Sequence, residues 1–304
     1  MLWRARPSAV LAALVHADWK WIALAIALVV VDRALMAYRW IVLLGPIDPA
    51  TRPPLGDVIR IFFVSTFAGT FLPTSIGADV VRAFSLSQLR VAPGQAVASV
   101  LMDRLLGVVS ILVMGVVGLM LAQTQDLASI RAIEVPLFVT ALVSAAAGAV
   151  VFSEAAAALA ESIALRMPIA AVRRIATDLT RATRAYGRHH AALGNVLLGS
   201  LAVQALRIVQ AYCLGRGLAI ALPLLAYFAF IPLILLVMLL PVSINGIGPS
   251  QVAFVWFFGR AGVPDAQSFA LSLLFVALGI VGNLPGGLLY AFGSGQPTDP
   301  RKTQ

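Results

Sequence analysis

Eight long apolar runs dominate the chain, near 19–44, 57–72, 95–121, 134–153, 190–214, 223–241, 249–262 and 267–291. A bilayer core is about 30 Å thick, and a helix needs about 20 apolar residues to cross it. No water is available there for backbone N–H and C=O groups, so only helices and closed barrels span it. A barrel would show alternating strands of about ten residues. These runs are continuous and rich in Leu, Ala and Val. Of 304 residues, 61% are apolar and only 12% charged, against roughly a quarter charged in a soluble domain. A water-soluble globule is excluded, and so is a disordered chain. The expected fold is all-α: one integral membrane domain, 1–304, with about eight transmembrane segments. The first run begins near Trp19 and lacks a small-residue cleavage site, so no cleavable signal peptide is expected.

The net charge is +9, and 20 of the 22 basic residues are Arg. In a soluble protein this would point to nucleic acid. In a polytopic chain it reads as topogenic Arg in cytoplasmic loops, so no nucleic-acid partner is expected. With the N-terminus inside and eight crossings, the inside connections hold thirteen Lys and Arg against four outside. Both termini are therefore expected in the cytoplasm; seven crossings would put the C-terminus outside. In the longest connection, 154–189, Val172, Ile175, Leu179, Ala182 and Tyr186 recur at steps of three and four. Arg173, Arg174, Asp178, Arg181, Arg184 and Arg188 fall largely between them. This pattern predicts a basic amphipathic helix in the membrane interface, facing anionic lipid.

A repeat organises the rest. Leu72-Pro73-Thr74-Ser75-Ile76 returns as Leu240-Pro241-Val242-Ser243-Ile244. Glycine follows each copy (Gly77; Gly246 and Gly248), then a short helical stretch ending at Arg90 or Arg260. Pro93 and Pro264 then open long apolar spans carrying Leu106-Gly107 and Leu278-Gly279. Four landmarks in one order, offset by 168 to 172 residues, indicate duplication. The halves are about 19–153 and 190–292, joined by the 154–189 linker and followed by a polar tail, 293–304. Broken helices at matching places of two halves are a transporter signature. Four crossings per half would make the halves parallel, whereas re-entrant short segments would allow an inverted pair.

The two interruptions carry the candidate chemistry. Pro73 disrupts the helix before it, Ser75 or Thr74 can cap a new one, and Gly77 admits close approach. A helix start presents free N–H groups and partial positive charge, a place for a lipid phosphate. Asp79 and Arg82 share a face of that helix. The second copy offers Ser243, Asn245, Gly246, Gly248 and Gln251, polar but uncharged. One charged half and one neutral half suit an amphiphilic guest with an anionic or phosphate-bearing head group. Ionisable residues also fall inside spans: Asp32, Arg33 and Arg39 in the first, Asp103 and Arg104 in the third, Arg207 in the fifth. Such residues are costly in hydrocarbon and are functional candidates; the alternative is ion pairing that fixes helix packing. Cross-span pairs of Asp32 with Arg104, or Asp103 with Arg39, are both open. No Walker loop, no Ser/His/Asp set and no metal-ligand cluster occurs in the sequence. No cofactor, no metal and no enzymatic activity is therefore expected. Cys213 is the only cysteine, so no internal disulfide can form.

Leu72-Pro73-Thr74-Ser75-Ile76-Gly77-Ala78-Asp79-Val80-Val81-Arg82, Met102-Asp103-Arg104-Leu105-Leu106-Gly107 and Leu240-Pro241-Val242-Ser243-Ile244-Asn245-Gly246-Ile247-Gly248 resemble the flippase-like integral membrane family, also called the lysylphosphatidylglycerol synthase transmembrane region family. Arg39-Trp40 fits as well. The resemblance implies a helical bacterial inner-membrane protein and, in some relatives, lipid flipping beside a separate aminoacyl-transfer domain. That soluble domain is not expected here, so synthase activity does not carry over. Ala78 replaces a usual second glycine, and Pro249-Ser250-Gln251 replaces a more acidic stretch. The expected function is translocation of phospholipid or polyprenyl-glycolipid head groups without ATP hydrolysis by this chain. The rivals are an intramembrane lipid-modifying transferase and a non-catalytic partner of a lipid-modifying or envelope-assembly enzyme complex.

Overall fold

The computed structural model describes residues 7–45, 52–72, 77–89, 91–123, 153–166, 189–239 and 246–292, with isolated positions between 142 and 186. The fourth apolar run, most of the basic linker, the polar tail and the 73–76 and 240–245 interruptions lie outside the described residues. Among the described residues the chain is helical throughout: α1 Pro7–Val15, α2 Trp19–Leu43, α3 Leu55–Phe71, α4 Gly77–Ser87, α5 Pro93–Gln123, α6 Glu154–Leu165, α7 His190–Gly217, α8 Leu224–Met238, α9 Pro249–Arg260 and α10 Asp265–Phe292.

Four of these, Trp19–Leu43, Pro93–Leu121, His190–Gly217 and Asp265–Phe292, are long and apolar enough to cross a membrane. The protein is thus an all-α, multi-pass membrane protein. The other helices of each half are shorter. At 1.5 Å per residue, the 11 residues of α4 and 12 of α9 reach only about 16–18 Å, roughly half the bilayer core. Their ends follow from local chemistry. Asp18 caps α2 by accepting from Lys20 N at 3.0 Å, and proline opens α5 and α9, where its missing N–H leaves nothing unpaired.

The second apolar run does not cross. α4 folds back along α3: Ala78 lies against Gly69, Arg82 donates to Ser65 and Thr66, and Leu86 shares a core with Val58, Phe62, Trp40 and Val91. These contacts make α3–α4 a re-entrant hairpin that returns to the end of the bundle where α2 stops and α5 begins.

The long helices then fix how the halves are related. α2 and α7 occupy matching places in the repeat, yet they pack antiparallel. Asp18 N donates to Gly217 O at 2.9 Å at one end, and Asn195 Nδ2 donates to Tyr38 Oη at 3.3 Å toward the other. Equivalent helices running in opposite directions require a two-fold axis across them, which is the inverted arrangement. The remaining packing is reciprocal. α10 lies on α3, where Asn283 Nδ2 donates to Thr70 Oγ1 at 2.8 Å, and α5 lies on α8. A Cβ at Gly118 of α5 would overlap the Phe228 carbonyl of α8, and one at Gly286 of α10 would overlap the Phe63 carbonyl of α3. These two glycines stand 168 residues apart and serve the same close approach in the two halves.

α10 starts beside the start of α2, since Gln267 Nε2 donates to Leu218 O at 3.2 Å, next to the Gly217 that receives Asp18. Trp19 and Asp265 therefore share one end of the bundle, and Leu43 and Phe292 the other. The count of two cytoplasmic termini treats every apolar run as a crossing, whereas α4 folds back along α3 among the described residues.

Backbone contact at matched glycines makes a clear prediction. Gly118→Leu and Gly286→Leu should each destabilise by about 3 kcal/mol or more through overpacking. Gly94→Ala, at a position with open space around it, should leave thermal unfolding in detergent unchanged.

Candidate functional site

Asp103, on α5, is the hub of the first half. Its Oδ1 accepts from Arg39 Nη2 at 2.7 Å, and its Oδ2 lies 3.5 Å from Arg82 Nη1. Arg39 Nη2 also donates to the Asp103 carbonyl at 3.1 Å. Arg82 arrives on α4, and its Nε and Nη2 donate to Ser65 Oγ at 3.3 Å and Thr66 Oγ1 at 3.4 Å on α3. Its guanidinium carbon sits 4.7 Å from the Phe62 ring centre and 5.3 Å from that of Trp40. Arg39, Arg82 and Asp103 are all buried. One carboxylate thus ties α2, α4 and α5 together, with α3 supplying hydroxyls.

Neighbouring residues on a helix point about 100° apart, so Asp103 faces inward while Arg104 turns to Asp79. Those two form an ion pair at the margin of the site, where the Arg104 side chain is a third exposed. Asp79 also sits in the first turn of α4, where a negative charge complements the helix dipole. Of the two open cross-span pairs, Asp103 with Arg39 is the one that forms. Asp32 meets Arg33 and Arg207 instead of Arg104.

Charge decides what the first site can do. Arg104 pairs with Asp79, but Arg39 and Arg82 share a single carboxylate, leaving one positive charge in excess among the described residues. Hydroxyls and aromatic faces soften that excess without cancelling it. Arg39 Nε is also buried with no hydrogen-bond acceptor. A buried charge without a counter-ion is expensive.

The second half answers differently. Positions 172 residues beyond Arg82 and Asp103 are Phe254 and Phe275, whose rings meet at 5.5 Å. A phenyl pair takes the place of the ion pair, and Gln251 stands where Asp79 does. Gln251 Oε1 accepts from Gly248 N at 2.5 Å and from Ser250 Oγ at 3.1 Å, so its oxygen is committed to the start of α9. Gly246 and Gly248, at φ 76° and 99°, form the turn before it. Gly77 opens α4 against Leu72. Ser75, Ser243 and Asn245 lie outside the described residues. Among the described residues, Asp79, Arg82 and Asp103 of the first half thus correspond to Gln251, Phe254 and Phe275 of the second.

Sequence reading passed over Trp40, Phe62, Ser65 and Thr66 as parts of the site. A signal was present: Ser65-Thr66, one turn before Thr70, is a polar step inside an apolar run. Asp103→Asn should cost about 3–5 kcal/mol by leaving two buried guanidiniums without their carboxylate. Arg104→Ala, in a partly exposed pair, should cost about 1 kcal/mol or less. Thermal unfolding in detergent separates the two.

Comparison with known proteins agrees with these motifs. The family described as the lysylphosphatidylglycerol synthase TM region matches residues 1–286. No curated protein and no solved structure matches the chain. With nearly its whole length matched and its helices arranged as a multi-pass membrane bundle, the chain belongs to the lysylphosphatidylglycerol synthase transmembrane region family.

Proposed function

We propose that this protein is a lipid translocase of the bacterial inner membrane. It passes phosphate-bearing head groups, of a phospholipid or a polyprenyl glycolipid, across the bilayer without hydrolysing ATP itself. The family ties the chain to membrane-lipid work. The observation that carries the specific reading is the Asp103 carboxylate shared between Arg39 and Arg82. It leaves one excess positive charge beside a hairpin that enters the membrane and turns back. A head-group phosphate supplies the missing charge there, while the acyl or prenyl tails stay in the bilayer and need no protein path. Arg82 and Arg39 offset the phosphate charge, while Arg104 pairs with Asp79. Gly77 and the polar groups of the second interruption, Ser243, Asn245, Gly246 and Gly248, remain candidates for uncharged contacts to the head group.

Purified protein in phosphatidylglycerol–phosphatidylethanolamine vesicles should equilibrate a fluorescent phosphatidylglycerol between leaflets, read by dithionite quenching. Arg39→Ala and Arg82→Ala should slow this about tenfold or more while the protein stays folded, since each removes a charge-assisted contact. Wild-type protein that accelerates exchange of no head group at all would overturn the reading.

One contact supports an orientation for this reading. Tyr186, near the end of the Arg-rich linker, donates to Leu43 O at 2.6 Å. That contact sets Tyr186, which in sequence stands between Arg184 and Arg188, at the end of the bundle that holds Leu43 and Phe292. By the positive-inside rule this end faces the cytoplasm. A reporter fused after Phe292 should read as cytoplasmic and one fused ahead of Pro7 as periplasmic; readings on one side would refute the arrangement.

A further inference from the structure

A second ionic centre lies deeper in the bundle. Asp32 is the fourteenth of the 25 residues of α2, near mid-height, and it is only 1% exposed. Arg33 Nη1 lies 3.2 Å from its Oδ2, and Arg207 Nε on α7 lies 3.4 Å from its Oδ1. Both guanidiniums turn next to the same thioether: Arg33 Nη1 and Arg207 Nη2 approach Met36 Sδ at 3.2 and 3.3 Å. Arg33 Nη2 donates to Gly279 O of α10 at 3.2 Å. Arg33 Nε is buried without an acceptor, and Asp32 Oδ1 accepts no hydrogen bond.

Among the described residues the arithmetic repeats that of the first site: two guanidiniums, one carboxylate, one excess positive charge. Here the added acceptors are weaker. Thioether sulfur is a poor hydrogen-bond acceptor, so two strong donors spend bonds on a soft partner. A pair selected only to lock α2 to α7 would be neutral. The surplus sits at mid-membrane, where an unbalanced charge is most costly. The Arg207 side chain is 22% exposed, which leaves this centre open on one side. Asp32 and Arg39 are seven residues apart on α2, about 10 Å along the axis. One phosphate cannot bridge that distance, but it can step between the two centres.

We infer that Asp32, Arg33 and Arg207 form a second docking station for a phosphate-bearing lipid head group, half-way along its path. The inference rests on the translocase reading and adds a midpoint to it: the head group passes between the Arg39–Arg82 centre and the Arg33–Arg207 centre. Asp32 sets the charge of the station and holds its two arginines apart.

Native mass spectrometry of protein extracted with phosphatidylglycerol counts the stations directly. Wild type should retain two anionic lipids, Arg207→Gln one, Arg82→Gln one, and the double variant none. Arg207→Gln should also slow vesicle exchange about tenfold, with Arg207→Lys restoring much of it, since charge rather than the fork geometry is what the station supplies. Phosphatidylglycerol should raise the unfolding temperature of wild type more than that of Arg207→Gln, with inorganic phosphate silent in both. Equal lipid counts and equal exchange in wild type and Arg207→Gln would overturn the station. So would stabilisation by inorganic phosphate with phosphatidylglycerol silent. Should Arg207→Gln not fold, Arg33→Gln gives the same count, because it removes the same single charge. Loss of exchange in wild type itself, with two lipids still retained, would instead sink translocation and leave the station standing.

Discussion

A single carboxylate shared by two guanidiniums carries the first half of this protein. α4 has 11 residues, too few to be a stable helix by itself, and it is held because Arg82 reaches Asp103 while resting on Trp40 and Phe62. Arg39 brings α2 to the other oxygen of the same carboxylate. Burying three charges is a penalty that one ion pair seldom repays. The hydroxyls of Ser65 and Thr66 and the two aromatic faces supply part of the remainder. What they do not supply is charge balance. On the proposed function, the lock that fastens the hairpin would also receive an anion, so stability and function would draw on the same atoms.

The inverted architecture explains why only one half needs such a lock. α3 packs on α10 and α8 on α5, so each half's partial helix is clasped by the other half's long one. Gly118 and Gly286 let backbones touch at both clasps. That reciprocity builds the frame without any charge. Once the frame stands, the two hairpins are free to diverge. In the second, Phe254 and Phe275 fill with rings the place that Arg82 and Asp103 fill with charge, and Phe254, Phe258, Tyr227 and Phe230 form a continuous aromatic cluster. A dry, well-packed hairpin opposite an ionic one makes the two ends of the path chemically unequal, as suits a guest that is polar at one end and oily at the other.

Much of this was legible in the sequence because it is written in composition and spacing. Long apolar runs, the Leu-Pro-x-Ser-Ile repeat and the charges set within spans establish a helical membrane protein of two halves with interruptions at matching places. Direction was not legible. Counting Lys and Arg over eight apolar runs does not say which of them turn back, because hydropathy measures how greasy a segment is, not its path. Pairing was half legible. Periodicity shows which face a residue occupies, so Asp103 and Arg104 were rightly set apart. It does not say which helix lies opposite, and Asp32 found Arg207 on α7 rather than Arg104. The aromatic floor beneath Arg82 was hidden for the same reason: Trp40 and Phe62 read as ordinary core until a guanidinium lies over them.

The fraction of charge left over matters as much as its sign. A pathway lined by bare arginines would bind a phosphate too well to release it, and conduction of any charged guest requires sites that are favourable enough to enter yet weak enough to leave. Asp103 between Arg39 and Arg82, and Asp32 between Arg33 and Arg207, each cut a double positive charge to a single one. They also keep the arginines from repelling each other when no guest is present. If head groups dock at both, two moderate stations about 10 Å apart on α2 would divide one high barrier into smaller ones. On the proposed function, transport down a gradient needs no more than that, and no nucleotide loop is called for.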